Sequence, residues 1–304
     1  MLHTHGRGGG GNGRVGLSRI AYVNGRYLPL CDAAVGIEDR SFQFSDGVYE
    51  VVAVLNGRML DWAAHVARLG RSLRELSMQA PMKDAALGLV ARRLLRMNRA
   101  RDALLYLQVS RGEAKRDHAV PRIAPTLAMT VRPFDFTTRR AAVANGVGVA
   151  TMADQRWARP DIKSVSLLPN VLAKEAARAA GAMEAWMVGR DGRVTEGGST
   201  NAWIVDGAGV LRTRAADGAI LAGVMRATLM RVAGEIGVGV EERAFALDEV
   251  RVAREAFLTS TTNPCVPVVR VDGVAVADGA PGPVSRRLAG ALWSEIVAQT
   301  GWAG

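Results

Sequence analysis

The chain has 304 residues, of which 49% are hydrophobic and 22% charged, a composition typical of a globular protein with one large domain or two moderate ones. Its formal net charge of +10 is spread along the chain as single arginines, and aromatic residues make up only 5%. A nucleic-acid surface would need a concentrated basic patch with stacking rings, so no nucleic-acid partner is expected. No apolar run is long enough to span a membrane, which predicts a soluble, cytoplasmic protein without a membrane partner.

The first eighteen residues and the two cysteines offer little chemistry. Residues 1–18 contain four consecutive glycines and lack the apolar core of a signal peptide, so we expect a flexible glycine-rich tail. Cys31 and Cys265 lie far apart without metal-ligand spacing. Neither a disulfide framework nor a metal site is therefore expected.

From Ile20 onward, short strands alternate with helices. Asn-Gly pairs at 24–25 and 56–57 predict two hairpins. Helices are predicted over 61–77, with Asp61 as the N-cap, and from Pro81 to about Met97. Strands follow over 103–110 and 126–131.

The second half continues the same alternation after a break in the pattern at 132–145, where a proline, paired threonines and paired arginines predict a linker. We predict a strand over 147–152, a helix over 168–180, two hairpins centred on 191–192 and 206–207, a helix beginning near Gly223, a strand ending in 259–263 and a last helix over 285–299. This order predicts a mixed α/β or α+β chain with two domains, residues 19–137 and 138–304.

Only four residues are lysines, so chemistry that requires a primary amine has four candidate positions. Lys83 and Lys174 are predicted to be solvated helix residues, and Lys115 lies in a polar loop. Lys163 differs because apolar residues surround it in RWARPDIKSVSLLPN, and desolvation would lower the pKa of its ammonium. From these residues alone, a loop lysine that reaches into solvent remains the more ordinary interpretation.

Several motifs, in order, resemble the class IV (fold type IV) pyridoxal-phosphate aminotransferases. They are RSFQFSDGVYEVV (40–52), DIKSVSLLPNVLAKEAA (161–177), RVTEGGSTNAWIV (193–205), ILAGVMR (220–226) and FLTSTTN (257–263). The resemblance covers the chain from Ile20 to the last helix. It implies a fold type IV enzyme that uses pyridoxal 5'-phosphate, with a smaller N-terminal α/β domain and a larger C-terminal pseudo-barrel domain.

The resemblance implies that Lys163 is the catalytic lysine that forms the Schiff base with the cofactor. Glu196 would face the pyridine nitrogen and keep it protonated. The other implied cofactor-binding residues are Arg68, Ser199, Leu221, Val224, Met225 and Thr261.

Of these, Arg68 and Thr261 would bind the phosphate together with the backbone N–H groups of Val224 and Met225 at a helix start, and Leu221 would pack against the ring. A similar family member has threonine at the position of Met225 and serine at that of Gly198. We therefore expect the hydroxyl contact at 225 to be lost and the polar contact at 198 to be absent.

Two further segments resemble the D-amino acid aminotransferases within this family. SDGVYEVV places Tyr49 on a strand, and LQVSRGEAKRDHAVP carries Arg116 and His118 in a loop. In those enzymes a tyrosine, an arginine and a histidine bind the α-carboxylate of the substrate, and the loop comes from the neighbouring subunit. The resemblance implies a homodimer with its active site at the subunit interface, and it adds Ser260 and Thr262 as substrate-binding residues.

The predicted reaction is a ping-pong transamination between a D-alanine-like D-amino acid and a 2-oxo acid, either 2-oxoglutarate or pyruvate. A branched-chain L-aminotransferase, an (R)-amine transaminase and an aminodeoxychorismate lyase on the same fold are the alternatives. A non-catalytic binding protein that keeps the fold is a further one.

Overall fold

The computed structural model describes residues 19–304, and the predicted glycine-rich tail, residues 1–18, lies outside the described residues. The first sheet contains six strands: β1 (Ile20–Val23), β2 (Arg26–Pro29), β3 (Gly47–Leu55), β4 (Arg58–Met59), β5 (Ala103–Ser110) and β6 (Thr126–Pro133). Their order across the sheet is β2-β1-β6-β5-β3-β4, and every neighbouring pair is antiparallel.

Helices cover one face of this sheet: α2 (Trp62–Glu75) packs on β3, and α3 (Asp84–Met97) packs on β1 and β6, whereas the short α1 (Arg40–Phe44) precedes β3. Side chains alternate along β3, so Val48, Glu50 and Val52 are completely buried on the face toward α2. Tyr49 and Val51 lie on the other face and are only partly buried. This alternation decides which side chains of β3 line the candidate site.

The second sheet contains nine strands: β7 (Val147–Ala153), β8 (Glu184–Val188), β9 (Val194–Gly197), β10 (Asn201–Val205), β11 (Leu211–Thr213), β12 (Val240–Glu242), β13 (Glu255–Ser260), β14 (Asn263–Val271) and β15 (Val274–Ala275). Their order is β12-β11-β10-β13-β14-β7-β8-β9, with β15 paired to β14. Strand β9, at one end of this order, leads through residues 198–200 directly into β10 near the other end. The sheet is therefore curled, and the predicted mixture of helices and sheets is confirmed.

Five more helices accompany the second sheet: α4 (Thr137–Asn145), α5 (Leu168–Ala179), α6 (Val224–Glu235), α7 (Leu247–Arg251) and α8 (Pro283–Thr300). The two sheets share one apolar cluster, in which Leu55 and Leu104 of the first sheet join Trp203 and Phe257 of the second. Within the described part of the chain, no helix combines the length and the apolarity that a membrane crossing requires.

Two predictions from the sequence are wrong. The segment 132–145 is not a linker: it holds the end of β6 and helix α4, because its alanines favour a helix and Asp135 accepts hydrogen bonds from the backbone and hydroxyl of Thr137 at the helix start. Asp61 does precede α2, but its side chain does not cap the helix. Its carboxylate instead accepts hydrogen bonds from Thr228 and Gln299 in the second half of the chain.

The start of α8 depends on a carboxylate that is distant in sequence. Glu255 is buried, and its two oxygens accept hydrogen bonds from the N–H groups of Val284 (2.8 Å) and Ser285 (2.7 Å). A carboxylate there satisfies unpaired donors and interacts favourably with the helix dipole. We expect Glu255→Gln to lower the free energy of unfolding by about 1–2 kcal/mol, measured by urea denaturation.

The control for this substitution is Glu235→Gln at the end of α6, where the carboxylate makes an exposed pair with Arg231. This change should leave the stability nearly unaltered. Equal losses in the two variants would contradict the importance of Glu255 for α8.

Candidate active site

Lys163 lies in the loop between β7 and α5, and backbone hydrogen bonds hold this loop against the start of β3. The N–H of Tyr49 donates to the carbonyl of Lys163, and the N–H of Val165 donates to the carbonyl of Gly47, both at 3.0 Å. The N–H of Lys163 donates to the hydroxyl of Ser72 on α2 (3.3 Å). The Lys163 ammonium consequently lies 4.3 Å from the centroid of the Tyr49 ring.

Lys163 lines a cavity of about 230 Å³ that takes its walls from both sheets. The structure brings all the predicted site residues together around this cavity except Arg116 and His118. The predicted residues among those that line it are Tyr49, Arg68, Lys163, Glu196, Ser199, Leu221, Val224, Met225, Ser260, Thr261 and Thr262.

Glu196 on β9 provides a buried carboxylate in this cavity. It accepts hydrogen bonds from the N–H of Leu221 (3.1 Å) and the amide of Asn201 (3.0 Å), and it pairs with the guanidinium of Arg156. Burial raises the pKa of Glu196 to about 7, and the positive charges of Arg156 and Lys163 offset only part of that effect. A further cationic group beside it, such as a protonated pyridine nitrogen, would favour the ionised carboxylate.

Arg156 is a residue of the site that the sequence analysis missed. Its side chain is buried, and Asp154 fixes it by accepting hydrogen bonds from Nε (3.0 Å) and Nη2 (2.7 Å). The hydroxyl of Thr195 donates to the same aspartate (2.7 Å). The sequence offered no signal beyond the position of Arg156 shortly before Lys163, since the chain contains many arginines.

A second buried carboxylate, Glu50, orients Arg68. Nε and Nη2 of Arg68 donate to Glu50 (2.8 and 2.7 Å), and Nη1 donates to the carbonyl of Ala222 (3.1 Å), next to the residue that precedes α6. His65 Nδ1 lies 2.7 Å from the same carboxylate. Burial opposes the ionisation of Glu50, but hydrogen bonds from Arg68 and His65 outweigh it and lower the pKa to about 2.

Glu50 and His65 were also missed, although a glutamate within the apolar strand sequence GVYEVVAVL is a recognisable signal. A carboxylate at a fully buried strand position requires a cationic or hydrogen-bonding partner. The sequence could have indicated that such a partner exists. Only the packing of α2 on β3 identifies it as Arg68 together with His65.

The start of α6 contributes a second group of donors to the cavity. Gly223 precedes the helix and offers no side chain to the N–H groups of its first turn. A Cβ at 223 would lie 2.1 Å from Oδ1 of Asn201, so glycine is required beside this amide. The helix N-terminus, the guanidinium of Arg68 and the hydroxyl of Thr261 together form a donor set suited to a phosphate group.

A polar atom without a partner supports the presence of a ligand in this cavity. The hydroxyl of Thr200 is buried and lines the cavity, yet it has no hydrogen-bond partner among the described residues. With the phosphate donors and the buried carboxylate of Glu196, this hydroxyl makes the cavity chemically complementary to pyridoxal phosphate. At 225 the methionine side chain packs in the core beside Leu229, which leaves its backbone N–H for a phosphate.

Lys174 on α5 is a surface residue, as predicted, with its side chain 43% exposed, and it also pairs with a carboxylate of β8. Its Nζ lies 3.2 Å from the buried carboxylate of Glu184 and donates to the hydroxyl of Ser199 (3.1 Å), which in turn donates to Glu184 (2.8 Å). A Cβ at Gly198 would lie 2.8 Å from Cγ of Lys174. A serine at 198 would therefore require Lys174 to move, and the hydroxyl of Ser199 is already engaged.

Arg116 and His118 do not reach the cavity of their own chain. They lie in the loop after β5 and contact Phe44 at the end of α1, with the Arg116 guanidinium 4.8 Å and the His118 ring 5.3 Å from the centroid of its ring. A carboxylate site that includes these two residues is not assembled within one chain.

The pKa of Glu50 leads to a testable dependence of stability on pH. Because folding lowers this pKa from 4.5 to about 2, the ionised form stabilises the protein above about pH 4.5 and loses this effect as the pH falls toward 2. In urea denaturation of the cofactor-free protein, we expect this group to account for a loss of up to about 3 kcal/mol on acidification. Glu50→Gln should be less stable at neutral pH and should show a shallower acid loss.

Asp248→Asn is the control, since the carboxylate of Asp248 is exposed and pairs with Arg251 at the surface. Its stability should fall with acidification as in the unmodified protein. Parallel pH profiles for Glu50→Gln and the unmodified protein would contradict the assigned role of Glu50.

Comparison with known proteins identifies the family. The description of the family that matches residues 47–271 is amino-transferase class IV. The D-alanine aminotransferase of Bacillus licheniformis is 39% identical over 277 residues, which is 91% of this chain and 97% of that protein.

Two solved structures share the fold. The branched-chain amino acid aminotransferase of Escherichia coli has a TM-score of 0.86 at 21% identity, covering 93% of this chain and 96% of that one. A second branched-chain amino acid aminotransferase, from T.th. and solved with pyridoxamine 5'-phosphate, has a TM-score of 0.85 at 24% identity, covering 94% of this chain and 95% of that one. The chain belongs to the class IV aminotransferase family and is an aminotransferase of fold type IV.

Proposed function

We propose that this aminotransferase transfers the amino group of D-alanine-like D-amino acids to 2-oxoglutarate or pyruvate by a ping-pong reaction, with pyridoxal 5'-phosphate as cofactor. The observation that carries the proposal is the convergence of Lys163, Glu196 and Arg68 around one cavity. Relatives named D-alanine aminotransferase, at 34% to 39% identity over most of the chain, support the choice of D-substrates. The structural neighbour with pyridoxamine 5'-phosphate supports the cofactor.

Each of the main residues of the cavity would have a separate role in this reaction. When bound, the cofactor would supply a protonated ring that withdraws electrons from the α-carbon of the substrate. Glu196 would hold the proton on the ring nitrogen, and Arg68 with the N-terminus of α6 would bind the phosphate. Lys163 would hold the cofactor covalently, and its amine would serve as the base that removes the proton from the α-carbon.

We propose that the substrate carboxylate is bound at the interface of a homodimer, by Tyr49 of one chain and by Arg116 and His118 of the partner subunit. The failure of this loop to reach its own cavity supports the proposal. Exposed apolar side chains near the loop support the proposal as well. Ile37 is 77% exposed and Phe42 is 75% exposed, and apolar side chains that are this exposed are typical of an interface. Holding the carboxylate on this side presents the α-hydrogen of a D-amino acid to Lys163.

A branched-chain L-aminotransferase is the second candidate, because the structural neighbours carry that description. The (R)-amine transaminases and the aminodeoxychorismate lyases use the same fold. The reactions differ in substrate and in their need for a 2-oxo acid, so assays discriminate them.

We expect the purified protein to convert D-alanine and 2-oxoglutarate to pyruvate and D-glutamate much faster than it converts L-alanine or L-leucine. It should also show the visible absorbance of a bound cofactor. Lys163→Ala should lose that absorbance and lower kcat by about 10²–10⁴-fold or more. Faster turnover of L-leucine or of (R)-1-phenylethylamine would favour the corresponding alternative. Formation of pyruvate from aminodeoxychorismate without an added 2-oxo acid would indicate lyase chemistry.

Arg116→Ala tests the carboxylate-binding role of the loop. Loss of a charge-assisted hydrogen bond to the carboxylate should raise the KM for D-alanine by about 10- to 100-fold. Arg122→Ala removes an exposed arginine from the same loop and should leave the KM unchanged. An unchanged KM in Arg116→Ala would remove Arg116 from the substrate site.

A further inference from the structure

Phe44 is the common contact of the two loop residues that are proposed to bind the carboxylate. The centroid of its ring lies 4.8 Å from the guanidinium carbon of Arg116 and 4.7 Å from that of Arg40, and the His118 ring lies 5.3 Å away at an angle of 56°. An aromatic ring attracts cations through its quadrupole, so these contacts favour one position of each side chain.

Arg40 holds the backbone between these two loop residues. Its Nη1 donates to the carbonyl of Asp117 at 2.6 Å, and its Nε donates to the carboxylate of Asp46 at 2.8 Å. Arg40 is only 4% exposed, so its guanidinium is fixed on one side by Asp46 and on the other by the loop. The side chains of residues 116 and 118 are thus attached to a backbone segment that is already held in place.

The base of the loop is fixed in the same way. Arg111, at the start of the loop, donates to the same carboxylate of Asp46 (2.7 Å) and to the carbonyl of Leu76 (2.9 Å). Gly112 has a φ of +115°, and a Cβ there would lie 2.2 Å from the carbonyl oxygen of Ala124. The two ends of the loop therefore approach each other closely, which limits the positions that its tip can adopt.

We propose that Phe44 is a positioning residue that, with Arg40, holds Arg116 and His118 in the arrangement that receives the substrate carboxylate. This inference rests on the proposed function, because the carboxylate-binding role of the loop belongs to it. Side chains ordered before binding lose less conformational entropy when the substrate arrives. Removal of the ring therefore weakens carboxylate binding while the groups that perform the proton transfer remain in place.

The test is Phe44→Leu in the cofactor-loaded enzyme. The KM for D-alanine should rise about tenfold, as should the dissociation constant of D-lactate, which carries the carboxylate without the amine and is measured by calorimetry. The kcat should stay within about twofold and the cofactor absorbance should be unchanged. Phe44→Tyr retains the ring and should restore the KM.

Tyr27→Leu is the matched control. This change also removes a ring that has a guanidinium carbon, that of Arg93, 4.7 Å from its centroid. Tyr27, however, lies on β2 and has no contact with the loop among the described residues. The KM and D-lactate affinity of this variant should be unchanged. If Phe44→Leu does not fold, Phe44→Met provides the same test with a flexible apolar side chain.

The double variant Arg116→Ala/Phe44→Leu separates this inference from the proposed function. We expect its rise in KM to be smaller than the product of the two single rises, because the part of the Phe44 effect that acts through Arg116 is already lost and only the part through His118 remains. If Arg116→Ala raises the KM and Phe44→Leu does not, the inference is overturned and the proposed function stands. If Arg116→Ala has no effect, the proposed carboxylate site fails and the inference with it. A loss of kcat or of cofactor absorbance without a change in D-lactate affinity would also overturn the positioning role.

Discussion

The candidate site depends first on the backbone pairing between the Lys163 loop and β3. Two hydrogen bonds, from Tyr49 to Lys163 and from Val165 to Gly47, join a loop that leads into the second sheet to a strand of the first. The cavity between the two sheets exists because these elements are held at this point. The strand alternation then places Tyr49 beside the Lys163 amine, whereas Glu50 points to the opposite face and holds Arg68.

The pKa values of two buried carboxylates near the cavity are shifted in opposite directions, and the partners of each carboxylate explain the difference. Glu50 receives two hydrogen bonds from Arg68 and a close contact from His65, so its pKa falls to about 2. Glu196 shares Arg156 with Asp154, and burial dominates, so its pKa rises to about 7. The first carboxylate orients an arginine at a site suited to an anion, and ionisation of the second would be favoured by a further cation beside it.

Charged side chains also hold the loop that carries Arg116, which is proposed to serve a second chain. Asp46, which is partly buried, accepts hydrogen bonds from both Arg40 and Arg111. Arg40 in turn donates to the backbone of the loop tip and lies against Phe44, so these contacts connect the tip to the base of the loop. The proposed carboxylate site takes residues from two subunits, so each subunit would have to present them in a defined position before association. The ion pairs at the base of the loop hold it in such a position at a distance from the cavity.

The sequence by itself predicted the mixed fold and most helices and strands, because periodic burial is a local property. Its motifs also predicted Lys163, Glu196 and Arg68 as residues of one site, and the structure brings them together around one cavity. The sequence did not identify helix α4 in the segment 132–145, since the proline and paired threonines there favoured a linker over the helix that the alanines favour. Only the tertiary structure decided that Arg156 forms an ion pair with Glu196 and that Glu50 forms one with Arg68. Ion pairs between elements that are distant in sequence leave no periodic pattern, because the packing of helix on sheet selects which charged side chains meet.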